Sequence, residues 1–322
     1  MSINQDYYRE SKSRMWTGRV DSDSDFKQFR YHQVARCVSL LDLDDTPEVA
    51  LLGFASDEGV RRNKGRVGAA EGPVYFRDNI GSMCWHGAES GFIDVGKIIP
   101  KKGNLEEAQQ ELGKAVQLLL QHQKKPFIIG GGHETAYGHY LGIAQFLKET
   151  EPDAKLGILN VDAHFDLRPY DGVPHSGSPF LQAHEHAKEN ELDLKYFVYG
   201  INPDNNTSSL FETADALGAR HCTNREIWDA ESEALNEVQQ FIESRTHIYL
   251  TICLDVFKAE IAPGVSAQAW HGIELTHALK VFDLVKKTNK LISMDVCELN
   301  PTYDENQKTA KLAGSLFSER VG

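Results

Sequence analysis

Six apolar runs of strand length recur along the chain, at residues 49–54, 127–129, 156–161, 196–201, 247–254 and 291–296. Longer stretches of helical periodicity lie between them. The clearest spans 104–121, with Asn104 as its N-cap and Leu105, Ala108, Leu112, Ala115, Val116 and Leu119 on one face. Weaker versions cover 134–147, 178–188, 232–242 and 274–286. Strands that are apolar throughout must be buried on both faces, and alternation with helices supplies the cover. The pattern predicts one three-layer α/β domain with a mostly parallel sheet flanked by helices. No repeat, low-complexity tract or Pro/Ser-rich linker divides it. The first forty residues are polar, and SDSDFKQF reads as a surface segment.

In such a sheet, ligands bind beyond the carboxyl ends of the strands. Polar residues directly after an apolar strand are therefore site candidates, and four places qualify. The run 127–129 leads into Gly130-Gly131-Gly132 and then His133, a turn in which the backbone can approach something closely. It lacks the spacing of a phosphate-binding loop. His139, further along, reads as an ordinary helix-face residue. The run 156–161 leads into Asp162, His164 and Asp166, which an extended backbone would point to one face. The run 247–254 presents Cys253 and Asp255, and 291–296 is bordered by Asp295 and Glu298.

A single aspartate after a strand is commonly a helix cap, and a single histidine is commonly a hydrogen-bonded core residue. Four acidic or imidazole groups at four strand ends need compensation, because burying them unpaired costs several kcal/mol each, about the stability of a whole domain. A polynuclear metal site accounts for them, with donors suited to Mn²⁺, Fe²⁺ or Zn²⁺.

Charge and composition exclude other classes. The net charge is −13 and no basic tract offsets it, which argues against nucleic acid or an anionic membrane as partner. No apolar run approaches membrane-spanning length, and MSINQDYYRESKSRMW lacks the apolar core of a signal peptide. The five cysteines are scattered without CxxC spacing, as expected for reduced thiols in a cytoplasmic enzyme.

GGGHE at 130–134, DAHFD at 162–166 and LDVFKAEIAPG at 254–264 together resemble the signature blocks of the ureohydrolase (arginase/agmatinase) superfamily. The similarity runs from about residue 49 to residue 301. WTGRVD at 16–21, VRRNKGRVGAAEGP at 60–73, FDLRPY at 165–170, HSGSPF at 175–180 and LDVFKAEIAPGVSA at 254–267 are most similar to its formimidoylglutamate-hydrolysing branch. The resemblance implies an arginase-like catalytic domain over 41–322, with the polar segment 1–40 packed on it. It implies hydrolysis of N-formimidoyl-L-glutamate to L-glutamate and formamide in histidine degradation, through a hydroxide that bridges two Mn²⁺ ions per subunit. Carried over by position, His133, Asp162 and Asp166 hold one ion and His164 and Asp255 the other, with Asp162 bridging. Asp166 also orients the nucleophile, Glu298 pairs with the amidinium, and His175 is the proton shuttle. Arg168, with Asn63 and Arg66 as second choices, would receive the substrate's carboxylates. A small-molecule dicarboxylate amidine is the expected partner, and a homo-oligomer the expected assembly.

One position departs from the pattern: Cys253 stands where arginases place a bridging aspartate. A thiolate is a soft ligand and favours Zn²⁺ or Fe²⁺ over Mn²⁺. Cys253 is then a bridging thiolate, a neutral thiol beside a weakened second ion, or the mark of lost catalysis. Three other readings stay open at this level: an agmatinase or guanidinobutyrase, a metal-binding protein of the same fold without hydrolysis, and a single-zinc deacetylase-like site.

Overall fold

All six apolar runs are strands of one sheet in the computed structural model, which describes residues 3–46, 48–101 and 103–321. In chain order the strands are β1 (Tyr8–Arg9), β2 (Ala35–Cys37), β3 (Val49–Phe54), β4 (Phe92–Ile98), β5 (Lys125–Ile129), β6 (Lys155–Val161), β7 (Asp193–Ile201), β8 (Arg220–Thr223), β9 (His247–Cys253) and β10 (Leu291–Cys297). They lie in the order β1-β4-β3-β5-β10-β9-β6-β7-β8, with β2 beside β4. Among the described residues, β1 is the only strand that runs antiparallel to its neighbour. The register joins Val296 to both Ile129 and Ile252, and Val161 to Ile252. The ends of β5, β10, β9 and β6 are thereby level along one edge.

Side chains alternate between the two faces, and both faces are covered. In β3, Val49 and Leu51 join one apolar core, whereas Ala50, Leu52 and Phe54 join the other. Helices Leu105–Gln121 and Thr135–Thr150 close the second face through Leu112, Val116 and Tyr140. Helices Glu231–Glu243, Leu275–Lys286 and Lys308–Val321 close the first through Val238, Val281 and Leu316. Asn104 caps its helix as its type predicts, accepting a hydrogen bond from the Glu107 amide.

The sequence pattern misses β4, because Asp94 and Lys97 interrupt its apolar run. Asp94 is fully buried and forms a two-pronged pair with Arg77 at 2.7 and 2.8 Å. Burial pushes the Asp94 carboxyl up, but Arg77, Ser11 and Trp16 outweigh it and hold the group below the usual carboxylate range. The Trp16 indole and Ser11 hydroxyl donate to the same carboxylate, which ties the N-terminal segment to the sheet. No helix among the described residues is long and apolar enough to cross a membrane.

Candidate metal centre

Four strand ends deliver the predicted side chains to one open cleft, lined by His133, His164, Asp166, Cys253, Asp255 and Glu298, with Asn63, Arg168 and Ser266 among the residues of its wall. Two residues reach it through a left-handed backbone, Asp166 at φ 49° and Glu298 at φ 70°. That conformation is costly for a glutamate, and it aims both carboxylates back over the strand ends.

Asp162 sits at the centre. One group of donor atoms comprises His133, Asp162 and Cys253, and a second comprises Asp162, His164 and Asp255; within each, all lie within 4.8 Å of one another. His133 Nδ1 is 3.0 Å from Asp162 Oδ2 and 2.9 Å from Asp166 Oδ2. His164 Nδ1 is 3.3 Å from Asp255 Oδ2 and 3.5 Å from Asp162 Oδ1. These are close approaches, but Nδ1 of His133 meets neither carboxylate along a hydrogen-bond direction. It remains unsatisfied, as do Asp255 Oδ1 and Glu298 Oε2, all of them buried.

The opposite edge of the His133 ring explains its orientation. Asp295 accepts from Thr251 Oγ1 at 2.6 Å, so the hydroxyl must itself accept from His133 Nε2 at 3.0 Å. This keeps a proton on Nε2 and aims Nδ1 at Asp162, so Nδ1 is the position that a metal ion, or in its place an added proton, would occupy. Asp295 also accepts from His139 at 2.6 Å and from the Tyr249 hydroxyl, while His139 Nε2 meets Ser293 at 2.5 Å. The expectation for His139 was therefore wrong: it is fully buried and anchors the carboxylate beneath the site. A histidine six residues after the proposed ligand carries no sequence signal for this; only the packing of the helix Thr135–Thr150 on β10 reveals it.

Electrostatics explain why the cleft needs positive charge. Asp162, Asp166, Asp255 and Glu298 face two imidazoles. Burial opposes protonation of His133 and His164, yet the carboxylates overcome it and lift both rings well above the usual imidazole value. Burial and Asp162 raise Asp166, whereas burial with Asp255 and Glu134 raises Glu298 far more. The cluster gathers protons in place of cations. Orphaned nitrogen and oxygen donors, excess negative charge and two groups sharing one carboxylate fit a pair of divalent ions. Burial, Asp162 and Asp255 push the Cys253 thiol far up, so an ion there must displace a firmly held proton.

Two predicted residues lie elsewhere. Arg66 donates to the carbonyls of Ser266 and Val265 at 2.7 Å each and stacks 4.0 Å over the Tyr303 ring, so its guanidinium clamps a loop and does not line the cleft. His175 also stays outside the cleft, accepting from the Gly177 amide at 3.2 Å and facing the Pro169 carbonyl at 3.3 Å. Burial in that loop lowers its basicity. Asn63 and Arg168 do line the mouth. Asn63 donates to Ser176 at 3.2 Å, and the Arg168 guanidinium has no ion-pair partner among the described residues.

Known proteins share this arrangement's framework. The family model described as "Arginase family" matches residues 47–322. The formimidoylglutamase of Geobacillus sp. (strain WCH70) is 41% identical over 98% of this chain and 96% of its own. That of Nocardia farcinica is 44% identical over 95% of each. Among solved structures, Trypanosoma cruzi formiminoglutamase with Mn2+2 superposes with a TM-score of 0.74 at 25% identity, over 88% of this chain and 97% of that one. With the signature blocks at strand ends along one edge of the sheet and relatives matched almost end to end, the chain belongs to the arginase family.

Proposed function

We propose that this chain hydrolyses N-formimidoyl-L-glutamate to L-glutamate and formamide. The observation that carries the reading is the pair of donor groups sharing Asp162 beneath a mouth lined by an uncommitted arginine. Relatives at 41 and 44% identity over nearly their whole length bear the name formimidoylglutamase, which supports the substrate. His133, Asp162 and Asp166 would hold one Mn²⁺; His164 and Asp255 would hold the other, with Asp162 shared. Cys253 would make one of the two positions the weaker. When bound, such a pair supplies a water acidified enough to be a nucleophile near neutral pH.

The chain's own side chains do the rest. Arg168 and Asn63 receive the carboxylates at the mouth, the local positive pocket that an acidic protein needs for an acidic substrate. Glu298 Oε2, buried without a donor, pairs with the amidinium and turns its carbon toward the cluster. Asp166 takes a proton from the attacking water and returns it to the departing amine. With His175 outside the cleft, Asp166 is the group positioned to hold that proton. Water adds to the amidine carbon, its bond to the glutamate nitrogen breaks, and formamide leaves.

The test is parallel incubation of Mn-loaded protein with formimidoylglutamate, agmatine and arginine. Formamide from the first alone is expected. Urea from either of the others would move the substrate to the guanidines, and no product from any would remove the hydrolase reading.

A further inference from the structure

The Gly-rich turn carries two consecutive ionisable side chains that face opposite ways. His133 turns to the cluster. Glu134 turns to the segment after β3, and no part of the mechanism above uses it. It is 1% exposed, and its Oε1 accepts from the Gly59 amide at 2.8 Å and the Ser56 hydroxyl at 3.0 Å. The Gly132 amide donates back to the Ser56 carbonyl at 2.8 Å. The packing is tight: a Cβ on Gly59 would lie 2.6 Å from the Glu134 carboxyl carbon, and one on Gly131 would lie 1.8 Å from the Ser56 oxygen. The glycines thus allow close approach to the protein's own loop. Gly59 belongs to the short helix Glu58–Arg62, whose next residues, Asn63 and Gly65, form the cleft wall.

A buried carboxylate with both donors on one oxygen and none on the other is costly to keep. Apolar packing would close the same space at less expense. What the carboxylate supplies is a fixed distance between the turn that presents His133 and the wall that presents Asn63. We propose that Glu134 is a positioning residue that locks the 56–65 wall to the metal-holding turn, so that the substrate's carboxylate end is gripped in register with its amidine carbon. The effect on substrate rests on the hydrolase reading above; the effect on the wall does not.

Two readouts separate these. Hydrogen–deuterium exchange followed by mass spectrometry is measured on the wild type, Glu134→Ala and Glu134→Gln. The alanine variant should speed exchange across 57–66 and leave 127–133 protected. The glutamine variant keeps an acceptor oxygen for Gly59 and Ser56 and should restore protection. In turnover of formimidoylglutamate, Glu134→Ala should raise KM about tenfold, the loss expected for one buried hydrogen-bonding anchor, with kcat and Mn²⁺ stoichiometry retained. Glu134→Gln should return KM to near the wild-type value. A purely structural residue would instead lower thermal stability without that split or that rescue.

Unchanged exchange in Glu134→Ala, or a fall in kcat with KM constant, would overturn the proposal. If Glu134→Ala does not fold, Ser56→Ala decides: it removes one of the two donors and should give the same pattern at about threefold in KM. Ser56→Ala with wild-type exchange and KM would overturn it equally. Should the wild type release no formamide, the hydrolase reading fails, while the exchange result still judges the lock.

Discussion

Asp295 and Asp162 are both fully buried carboxylates that face imidazoles, yet they are satisfied in different ways. Around Asp295, donors from His139, Tyr249 and Thr251 fill the carboxylate, and His139 spends its second nitrogen on Ser293. Burial pushes Asp295 up, but those donors hold it below the usual range, so the group is self-contained. Around Asp162, carboxylates outnumber imidazoles, and His133 Nδ1, Asp255 Oδ1 and Glu298 Oε2 are left without partners. The two clusters are linked through Thr251, which passes the order of the first to His133 of the second. A closed polar network builds rigidity; an open one next to it makes a site.

Breaking the open cluster at its shared member should have the largest effect. Asp162→Asn removes a donor from both groups, and turnover should fall by roughly 10³-fold or more, with Mn²⁺ content collapsing in metal analysis. Asp295→Asn opens the closed cluster instead. It should cost about 3–5 kcal/mol in denaturant unfolding. It should also weaken Mn²⁺ binding by about 10–100-fold, with activity recovered at high Mn²⁺.

pH sharpens the same contrast. Asp295 and Asp94 have lowered values, so their contribution to stability is complete above the ordinary carboxylate range and is lost only in acid. Asp166, Glu298, His133 and His164 have raised values, so at this cluster the folded, metal-free chain binds more protons than the unfolded one. The cluster's contribution to stability should therefore fall as pH rises from about 5 to about 8, opposite in sign to that of the half-buried His175, His184, His186, His221 and His277, and the gain in thermal stability from saturating Mn²⁺ should grow over the same range. At the rim, Arg168→Met should raise KM about tenfold with kcat little changed, which initial rates over substrate concentration will show. Smallest of all, Cys253→Asp should raise Mn²⁺ occupancy of the weaker position without impairing turnover.

The periodic parts of this molecule are legible from sequence, and so are the strand-end ligand candidates. Apolar runs locate β3, β5, β6, β7, β9 and β10, and Asn104 marks a helix start that the structure reproduces. β4 escapes because a buried ion pair looks like a surface residue until Arg77 is placed beside Asp94. His139 and Glu134 escape for the same reason: each is a polar side chain whose partner comes from a distant segment. Arg66 is the converse case, a cation with the right type and neighbourhood that backbone carbonyls have already taken.

Calorimetric titration of the chelated, purified chain with Mn²⁺ tests the central claim most directly. Two ions per chain, one weaker than the other, with binding abolished in the Asp162→Asn, Asp255→Asn double variant, is the predicted result. A wild-type chain that takes up no Mn²⁺, or one that binds it unchanged after those two substitutions, would contradict the account.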